Sequence, residues 1–174
     1  MSMEVEIPNG VDVEIHGDLV KVKGSLGSNE RRFNDSLLKL SKAGNTVSIE
    51  PSDYKTQRKR ALKAINSFAK ELRGDIDGVN KHFEVKMEGI SAHFPMTFEA
   101  KDNTISIKNM LGERHPRFAK IIGDTKIEVK EKILRIYGTK LEDVTQTAAN
   151  IKKICKIRKK DIRVFQDGVY YLRE

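Results

Sequence analysis

A dense run of cations near the C-terminus is the feature of the sequence with the clearest chemistry. Seven basic residues fall between positions 152 and 163, where the only acidic residue is Asp161. They are Lys152, Lys153, Lys156, Arg158, Lys159, Lys160 and Arg163. The C-terminal dipole of a helix would account for two or three of them on a solvated surface. Seven exceed that need, and their mutual repulsion favours a polyanionic partner such as a phosphate backbone.

The basic residues are unevenly distributed along the chain. The 174 residues include 33 Lys and Arg and 25 Asp and Glu, a formal net charge of +8. Residues 1–80 hold 13 basic and 12 acidic residues, a net charge of +1, whereas residues 81–174 hold 20 and 13, a net charge of +7. Because an excess of one charge attracts partners of the other sign, the polyanion surface is predicted in the second half.

A second, smaller basic group precedes that run and comprises Arg114, His115, Arg117 and Lys120. The sequence places this group in a loop that follows a strand. By itself it would not indicate a binding site. Arg114 and Arg117 are retained as candidate contacts for the same anionic partner.

Residues suited to nucleophilic or metal chemistry do not form a recognisable set. Cys155 is the only cysteine, so it cannot form an internal disulfide, and a reducing compartment is inferred. It lies on the apolar face of a predicted helix, where packing in the core is predicted over a reactive thiol. The four histidines lack the spacing of metal ligands and are assigned to surface or turn positions. They are His16, His82, His93 and His115.

Other candidate motifs also read as structural. Asp75 and Asp77, beside two glycines, indicate a turn. The stretch Gly-Ser-Leu-Gly at 24–27 follows a strand and is predicted as a turn rather than an RNA-binding loop between helices. Aromatic residues make up 6% of the chain and do not interleave with the basic run, which disfavours base stacking. The sequence therefore predicts no catalytic residue, cofactor or metal.

The two halves repeat one pattern at a spacing of about 85–90 residues. Residues 18–33 align without a gap with 103–118, which places Arg32-Phe33 on Arg117-Phe118. Residues 45–50 correspond to 132–137. A third match sets Asp77-Gly78-Val79 against Asp167-Gly168-Val169. Each copy is thus predicted to contain strands, one helix and a short return strand.

Apolar periodicity locates the elements of each copy. Alternation through residues 11–24 predicts a hairpin with Gly17-Asp18 as its turn. A helix from about Thr56 to Leu72 buries a stripe at helical spacing. Those residues are Ala61, Leu62, Ile65, Phe68, Ala69 and Leu72.

The second helix is predicted to open with a capping box formed by Thr139 and Glu142. One face of it is apolar and consists of Val144, Ala148, Ile151 and Cys155. Gln146, Asn150 and Lys153 lie on the opposite face at steps of four and three residues, where they are available to a partner.

The last twelve residues, RVFQDGVYYLRE, are predicted to close the sheet of the second copy. Asp167-Gly168 is predicted as a tight hairpin turn. Val164, Val169 and some of the aromatic residues would form its arms, namely Phe165, Tyr170 and Tyr171. The sequence shows neither a basic, apolar leader nor eighteen consecutive apolar residues, so a secreted or membrane-spanning protein is not expected.

These segments together resemble a known family. The tail, the helix opening YGTKLEDVTQTAANI, the early Ile-Pro and the duplicated Leu-Gly and Arg-Phe pairs are similar to the archaeal and eukaryotic branch of large-subunit ribosomal protein six, the L-six family. The resemblance extends over essentially the whole chain. It implies an α+β protein of two tandem duplicated domains, 1–80 and 81–174, each an antiparallel sheet packed against one helix.

The resemblance also implies a function. A member of this family is a non-enzymatic, cytoplasmic component of the large ribosomal subunit, whose second domain holds 23S-type ribosomal RNA near the stalk base and the factor-binding region. Neighbouring ribosomal proteins are the other expected partners, with no membrane and no small-molecule substrate. The nearly neutral first domain is expected to be a spacer or a protein-facing module. The RNA-facing candidates carried over are Gln146, Asn150, Lys153, Lys156, Arg158, Lys159, Lys160 and Arg163.

Two alternatives remain open at this point. A non-ribosomal adaptor would use the same basic surface to bind acidic proteins or another RNA. A small nuclease using Asp75 and Asp77 is a more distant alternative.

Overall fold

The computed structural model describes residues 3–52, 58–92, 94–161 and 163–172. Within them it forms 13 strands and two α-helices, and the chain divides into two compact units, Met1–His82 and Phe83–Glu174. The predicted α+β class is therefore confirmed. The strands of each unit form two antiparallel sheets, and one helix packs against both.

Unit 1 contains six strands followed by the long helix α1. The elements are β1 Met3–Glu6, β2 Asp12–His16, β3 Leu19–Lys23, β4 Ser28–Arg32, β5 Leu38–Ala43, β6 Thr46–Pro51 and α1 Arg58–Asn80. The sheets have the orders β1-β6-β5 and β2-β3-β4. The predicted hairpin is confirmed as β2 and β3, with Ile15 paired to Val20 across the Gly17-Asp18 turn.

Helix α1 extends well beyond its predicted end at Leu72. The predicted stripe is buried apart from the half-buried Leu62, and it continues through Ile76 and Val79. This continued burial offsets the cost of about 1 kcal/mol that a glycine imposes in a helix interior. Asp75 and Asp77 therefore lie inside α1 and not in a turn, and unit 1 has no return strand among its described residues. The predicted start at Thr56 lies outside the described residues.

The Gly-Ser-Leu-Gly stretch is the turn between β3 and β4, as predicted. Gly24 N donates to Gly27 O at 2.9 Å, and Leu26 N donates to Val79 O at 3.0 Å. The turn thus satisfies a carbonyl at the C-terminal end of α1, where the helix itself supplies no donor. A Cβ at Gly24 would lie 2.6 Å from Val79 Cγ2, so this close approach requires glycine.

Unit 2 repeats this arrangement and adds a strand. Its elements are β7 Phe83–Ile90, β8 Thr97–Lys101, β9 Thr104–Lys108, β10 Arg117–Lys120, β11 Lys126–Lys130, β12 Ile133–Gly138, α2 Leu141–Ile154 and β13 Gly168–Tyr171. A 3-10 turn, Met110–Gly112, precedes β10. The sheets have the orders β10-β9-β8 and β11-β12-β7-β13. The first repeats β2-β3-β4, and three strands of the second repeat β1-β6-β5.

The register of the two copies corrects the gapless alignment. Phe33 N donates to Asp18 O at 2.9 Å, and Ile121 N donates to Asn103 O at the same distance. Ile121 is therefore the counterpart of Phe33, and the second copy carries three more residues between its strands. The predicted match of Arg32-Phe33 to Arg117-Phe118 is wrong.

The tail closes the sheet of the second unit as predicted, but without the predicted hairpin turn. β13 pairs with β7, and its residue Val169 is buried in the core of unit 2. Asp167 is buried and accepts a hydrogen bond from Ala92 N at 2.8 Å, so Asp167-Gly168 is an anchor and not a hairpin turn. Val164 is 69% exposed and does not close the sheet. The third repeat match also fails, because Asp77-Gly78 is helical.

Helix α2 has the predicted faces with a different first residue. Its N-cap is Lys140, so Thr139 does not occupy the N-cap position of the predicted capping box. Val144, Ala148 and Ile151 are buried as predicted, and Thr147 joins them. Neither helix of the described ranges is long and apolar enough to cross a membrane.

Candidate functional site

Two basic groups that are distant in sequence meet in one groove of unit 2. The groove has a volume of about 830 Å³ and lies between β10, the last turn of α2 and the loop after it. We call it the basic groove. Six cations line it, and they are Arg117, Lys120, Lys153, Lys156, Arg158 and Lys160.

Side-chain amides of α2 hold the helix beside β10. Asn150 Nδ2 donates to the carbonyl oxygen of Lys120 at 3.1 Å, and Gln146 Nε2 donates to Asn150 Oδ1 at 3.0 Å. Both residues are predicted contacts for a partner. In the structure the Asn150 amide joins α2 to β10, and the Gln146 amide binds that of Asn150 within the helix. Asn150 also lines the basic groove.

Arg117 forms part of the groove wall and is fully engaged within the protein. Its Nη1 donates to the carbonyl oxygen of Ile154 at 2.5 Å, and its Nε donates to Glu113 Oε2 at 2.8 Å. The hydrogen bonds from Arg117 also hold the pKa of Glu113 below its usual value. Arg117 therefore neutralises the one carboxylate among the described residues that line the groove, and it ties β10 to the end of α2.

The other five groove cations are exposed and form no ion pair within the described ranges. Among the ion pairs of those residues, Arg117 is the only groove cation with a carboxylate partner. Lys160 Nζ lies 4.6 Å from the ring centroid of Phe165, which holds it by a cation–π contact. Five like charges thus line one concave surface on which Glu113, the carboxylate found among its described residues, is already bound by Arg117. Such an excess of positive charge favours the binding of an anion.

The helix dipole explains only the first part of the basic run. Lys152 and Lys153 lie in the last turn of α2, where the dipole attracts cations, but this effect falls off within one turn. Lys156 to Lys160 lie beyond the helix. Asp161, the acidic residue of the run, shapes the next turn by accepting a hydrogen bond from Arg163 N at 2.9 Å. The structure therefore presents the loop charges to solvent and not to the helix end.

Four predicted basic contacts do not line the basic groove. Arg114, Lys159 and Arg163 are exposed elsewhere on the loops, and Lys159 has a left-handed backbone with φ 58°. Lys152 Nζ lies 4.9 Å from the ring centroid of Tyr171 and borders a separate cavity of about 470 Å³ under the tail. The structure groups Lys153, Lys156, Arg158 and Lys160 of the main run with two residues of the smaller group.

Phe118 is a groove residue that the sequence analysis missed. It is 63% exposed and lies between Arg117 and Lys120 on β10. The signal was present, since an aromatic residue stands between two basic residues in Arg-Phe-Ala-Lys. Aromatic and basic residues therefore alternate in the smaller basic group and not in the run at 152–163.

The candidate catalytic residues have structural roles. Cys155 is 3% exposed, and burial raises the pKa of its thiol to about 12. Asp75 is buried against Arg31, whose Nε and Nη2 donate to its two oxygens at 2.5 and 3.1 Å. His16, His82 and His115 are exposed as predicted, and His93 lies outside the described residues. Within the described ranges no three His, Cys, Asp or Glu residues lie close enough to hold a metal ion.

The protein is a duplicated α+β protein with a cationic groove, and its thiol and its candidate catalytic carboxylate, Asp75, are buried in structural contacts. These are the features of a binding protein. Comparison with known sequences supports that class. A family model described as "Ribosomal protein L6" matches residues 94–168, which span the basic groove.

Relatives match over nearly the whole chain. The "Large ribosomal subunit protein uL6" of Methanosarcina mazei is 39% identical over 170 residues, or 98% of this chain and 95% of the relative. The proteins of the same name from Methanobrevibacter smithii and Staphylothermus marinus are 40% and 41% identical, covering 97% and 96% of this chain and 93% and 91% of the relatives. The chain therefore belongs to the uL6 family of ribosomal proteins. It is a structural, non-enzymatic ribosomal protein, and the predicted cytoplasmic location in the ribosome follows from that membership.

Proposed function

We propose that this protein is a structural constituent of the large ribosomal subunit and that it binds 23S-type ribosomal RNA through the basic groove. The observation that carries the proposal is the convergence on one concave surface of five exposed cations that form no ion pair within the described residues. The names of the relatives support the ribosomal setting.

The chemistry of the basic groove suits the backbone of a folded RNA. Arg158 has a planar fork of donors that matches two phosphate oxygens, whereas Lys153, Lys156 and Lys160 supply mobile point charges. Contacts of this kind position a protein on RNA and respond to its shape more than to its sequence. Arg114, Lys152, Lys159 and Arg163 would extend the same positive field beyond the groove.

The resemblance to the family extends the proposal to a location. The RNA contacted would lie near the stalk base and the factor-binding region, beside neighbouring ribosomal proteins. Residues 1–80, which make up nearly all of unit 1, have a net charge of only +1. This domain would be a spacer or a protein-facing module.

Two variants that each remove three lysines and one arginine test the role of the basic groove. The first variant changes Lys153, Lys156, Arg158 and Lys160 to Gln. The matched control changes four exposed cations of α1 to Gln, namely Lys59, Arg60, Lys63 and Lys70. Binding to purified large-subunit ribosomal RNA of Methanosarcina mazei is measured as a function of salt concentration. Each lost phosphate contact lowers the slope of log K against log salt by about 0.7–0.9, so the groove variant should lose about 3 units of slope.

The control separates a local site from general attraction of a basic protein. It should keep a slope close to that of the wild type. Equal losses in the two variants would show that the groove is not the binding surface. The adaptor alternative predicts a different result in cell extracts: RNase treatment would leave the protein in its large complex, whereas an RNA-held protein is released.

A further inference from the structure

We propose that Phe118 forms a stacking platform for an unpaired RNA base inside the basic groove. This inference rests on the proposed RNA-binding function and adds a base-binding position to a surface otherwise suited to phosphates. It assigns a role to an aromatic residue that is 63% exposed and lies outside the buried core cluster.

Phe118 is an apolar ring on a polar sheet face. Its cross-strand neighbour on β9 is Ser106, and Glu99 follows on β8. On the same face, Lys120 lies opposite Thr104. The alternate residues of β9 and β10 point the other way and enter the core, among them Ile105, Ile107 and Ala119. Phe118 thus has no apolar neighbour across the sheet and is 63% exposed.

Unit 1 shows which residue the same strand position carries in the other copy of the fold. With the three extra residues taken into account, Phe118 and Ser106 correspond to Glu30 and Lys21 of unit 1. Glu30 and Lys21 are cross-strand partners that form an ion pair, with Nζ 2.6 Å from Oε1. One copy therefore places a solvated ion pair at this position, and the other an exposed phenyl ring.

The other phenylalanine of the repeat motif is used by the fold. Phe33 is half-buried, and its ring centroid lies 5.6 Å from that of Phe68 on α1. Its counterpart in unit 2 is Ile121, which is buried. In unit 2, Ile121 therefore takes the inward position that Phe33 has in unit 1. Phe118 lies three residues earlier and is exposed.

The surroundings of Phe118 favour a nucleobase over other apolar groups. Lys120 is two residues away on the same strand, and Lys153 and Arg158 line the same groove. Cations placed around an exposed ring hold phosphates while the ring stacks on the base between them. Every base has a flat apolar face, so this position would accept any base that the RNA leaves unpaired. A stack of this kind contributes on the order of tenfold in affinity.

A tryptophan reporter tests the proposal directly, because the chain contains no tryptophan. Phe118→Trp places a single fluorophore in the groove, and Leu141→Trp places one at the 47% exposed first residue of α2, which does not line the groove. Each full-length variant is titrated with Methanosarcina mazei large-subunit ribosomal RNA and with inorganic polyphosphate, a polyanion without bases. Stacking predicts that the RNA quenches the groove fluorophore saturably and that polyphosphate changes its emission little. The fluorophore on α2 should respond little to either polyanion.

Affinity measurements on Phe118→Leu and Phe118→Tyr complete the test. Leu should bind the RNA about tenfold more weakly with an unchanged salt slope, and Tyr should bind like the wild type. Both should keep the wild-type melting temperature. The stacking role is overturned if the Leu variant binds normally, if the Phe118→Trp fluorophore is not quenched while RNA is bound, or if the Leu variant is markedly less stable. If the wild-type protein does not bind the RNA, the proposed function fails and the stacking role fails with it.

Discussion

Arg117 on β10 donates a hydrogen bond from Nη1 to the carbonyl oxygen of Ile154, the last residue of α2, at a distance of 2.5 Å. Glu113 holds the other side of the same guanidinium. One side chain therefore satisfies a free carbonyl at the helix end and fixes two walls of the basic groove. Arg117, predicted as an RNA contact, is engaged in shaping the surface on which the other cations lie.

Arg117→Lys should destabilise the protein although it keeps the charge. Lysine cannot reproduce the planar fork that contacts Glu113 and Ile154 together. Hydrogen bonds to charged groups contribute about 1.5–3 kcal/mol, so a loss of about that size is expected in the free energy of unfolding, measured in urea. Lys120→Arg, on the same strand and exposed, is the control. A fully stable Arg117→Lys variant would show that positive charge alone is needed there.

The stabilising effect of Glu113 should depend on pH in a defined direction. The hydrogen bonds from Arg117 lower the pKa of Glu113 in the folded protein, so folding favours its charged form. This contribution is fully present above the unfolded-state pKa of about 4.3 and is lost as the pH falls through the lower folded pKa. The difference in unfolding free energy between wild type and Glu113→Gln should therefore shrink in acid. A difference that stays constant from neutral pH into strong acid would contradict the assignment.

Asp75→Ala should be among the most destabilising changes in unit 1. It removes the carboxylate that binds the largely buried Arg31 guanidinium twice and leaves Glu71, whose Oε2 lies 3.0 Å from Nη1, as a carboxylate partner. Hydrogen bonds to charged groups contribute about 1.5–3 kcal/mol, so a loss of about that size is expected in chemical denaturation. Asp77→Ala, exposed on the same helix, should change stability by less than about 0.5 kcal/mol. Similar effects of the two changes would mean that the Arg31 contact contributes little.

Cys155 should be almost inert in the folded protein. Burial raises the pKa of its thiol to about 12, so at about pH 8 only about one molecule in ten thousand carries the thiolate. Alkylation by iodoacetamide should be slow for the native chain and fast in denaturant, with one thiol modified. A native rate close to the denatured rate would place the thiol at the surface.

Local sequence patterns predicted correctly those elements that are stabilised mainly by burial of their own apolar side chains. Alternation predicted the β2–β3 hairpin, and helical spacing predicted the buried faces of both helices. These predictions were correct because the apolar residues that form each pattern, such as Val13, Val20 and Ile151, are themselves buried. The end of α1 was not predicted correctly, because Asp75 is stabilised by Arg31, a residue 44 positions away. The hairpin turn predicted from Asp167-Gly168 is absent for the same reason. Asp167 accepts a hydrogen bond from the backbone N–H of Ala92, 75 residues away in sequence.

The candidate site was predictable as composition but not as geometry. The cation run at 152–163 is evident in the sequence, and so is the excess charge of the second half. The contact of this run with the groove that Arg117 and Lys120 line depends on the register of β10. The three extra residues between β9 and β10 shift that register relative to the first copy. The exposure of Phe118 depends on the same register. A gapless alignment of the two copies places Phe118 on Phe33, whereas Ile121 is the residue that corresponds to Phe33 in the structure.

Photo-crosslinking within assembled particles tests the central claim most directly. A photoreactive phenylalanine replaces Lys120 in the basic groove, or Lys63 on α1 as the control, in tagged protein purified with large ribosomal subunits. The groove position should crosslink to 23S-type ribosomal RNA far more efficiently than the control. Crosslinks from position 120 that go only to proteins, or equal RNA crosslinking from both positions, would contradict an RNA-binding groove.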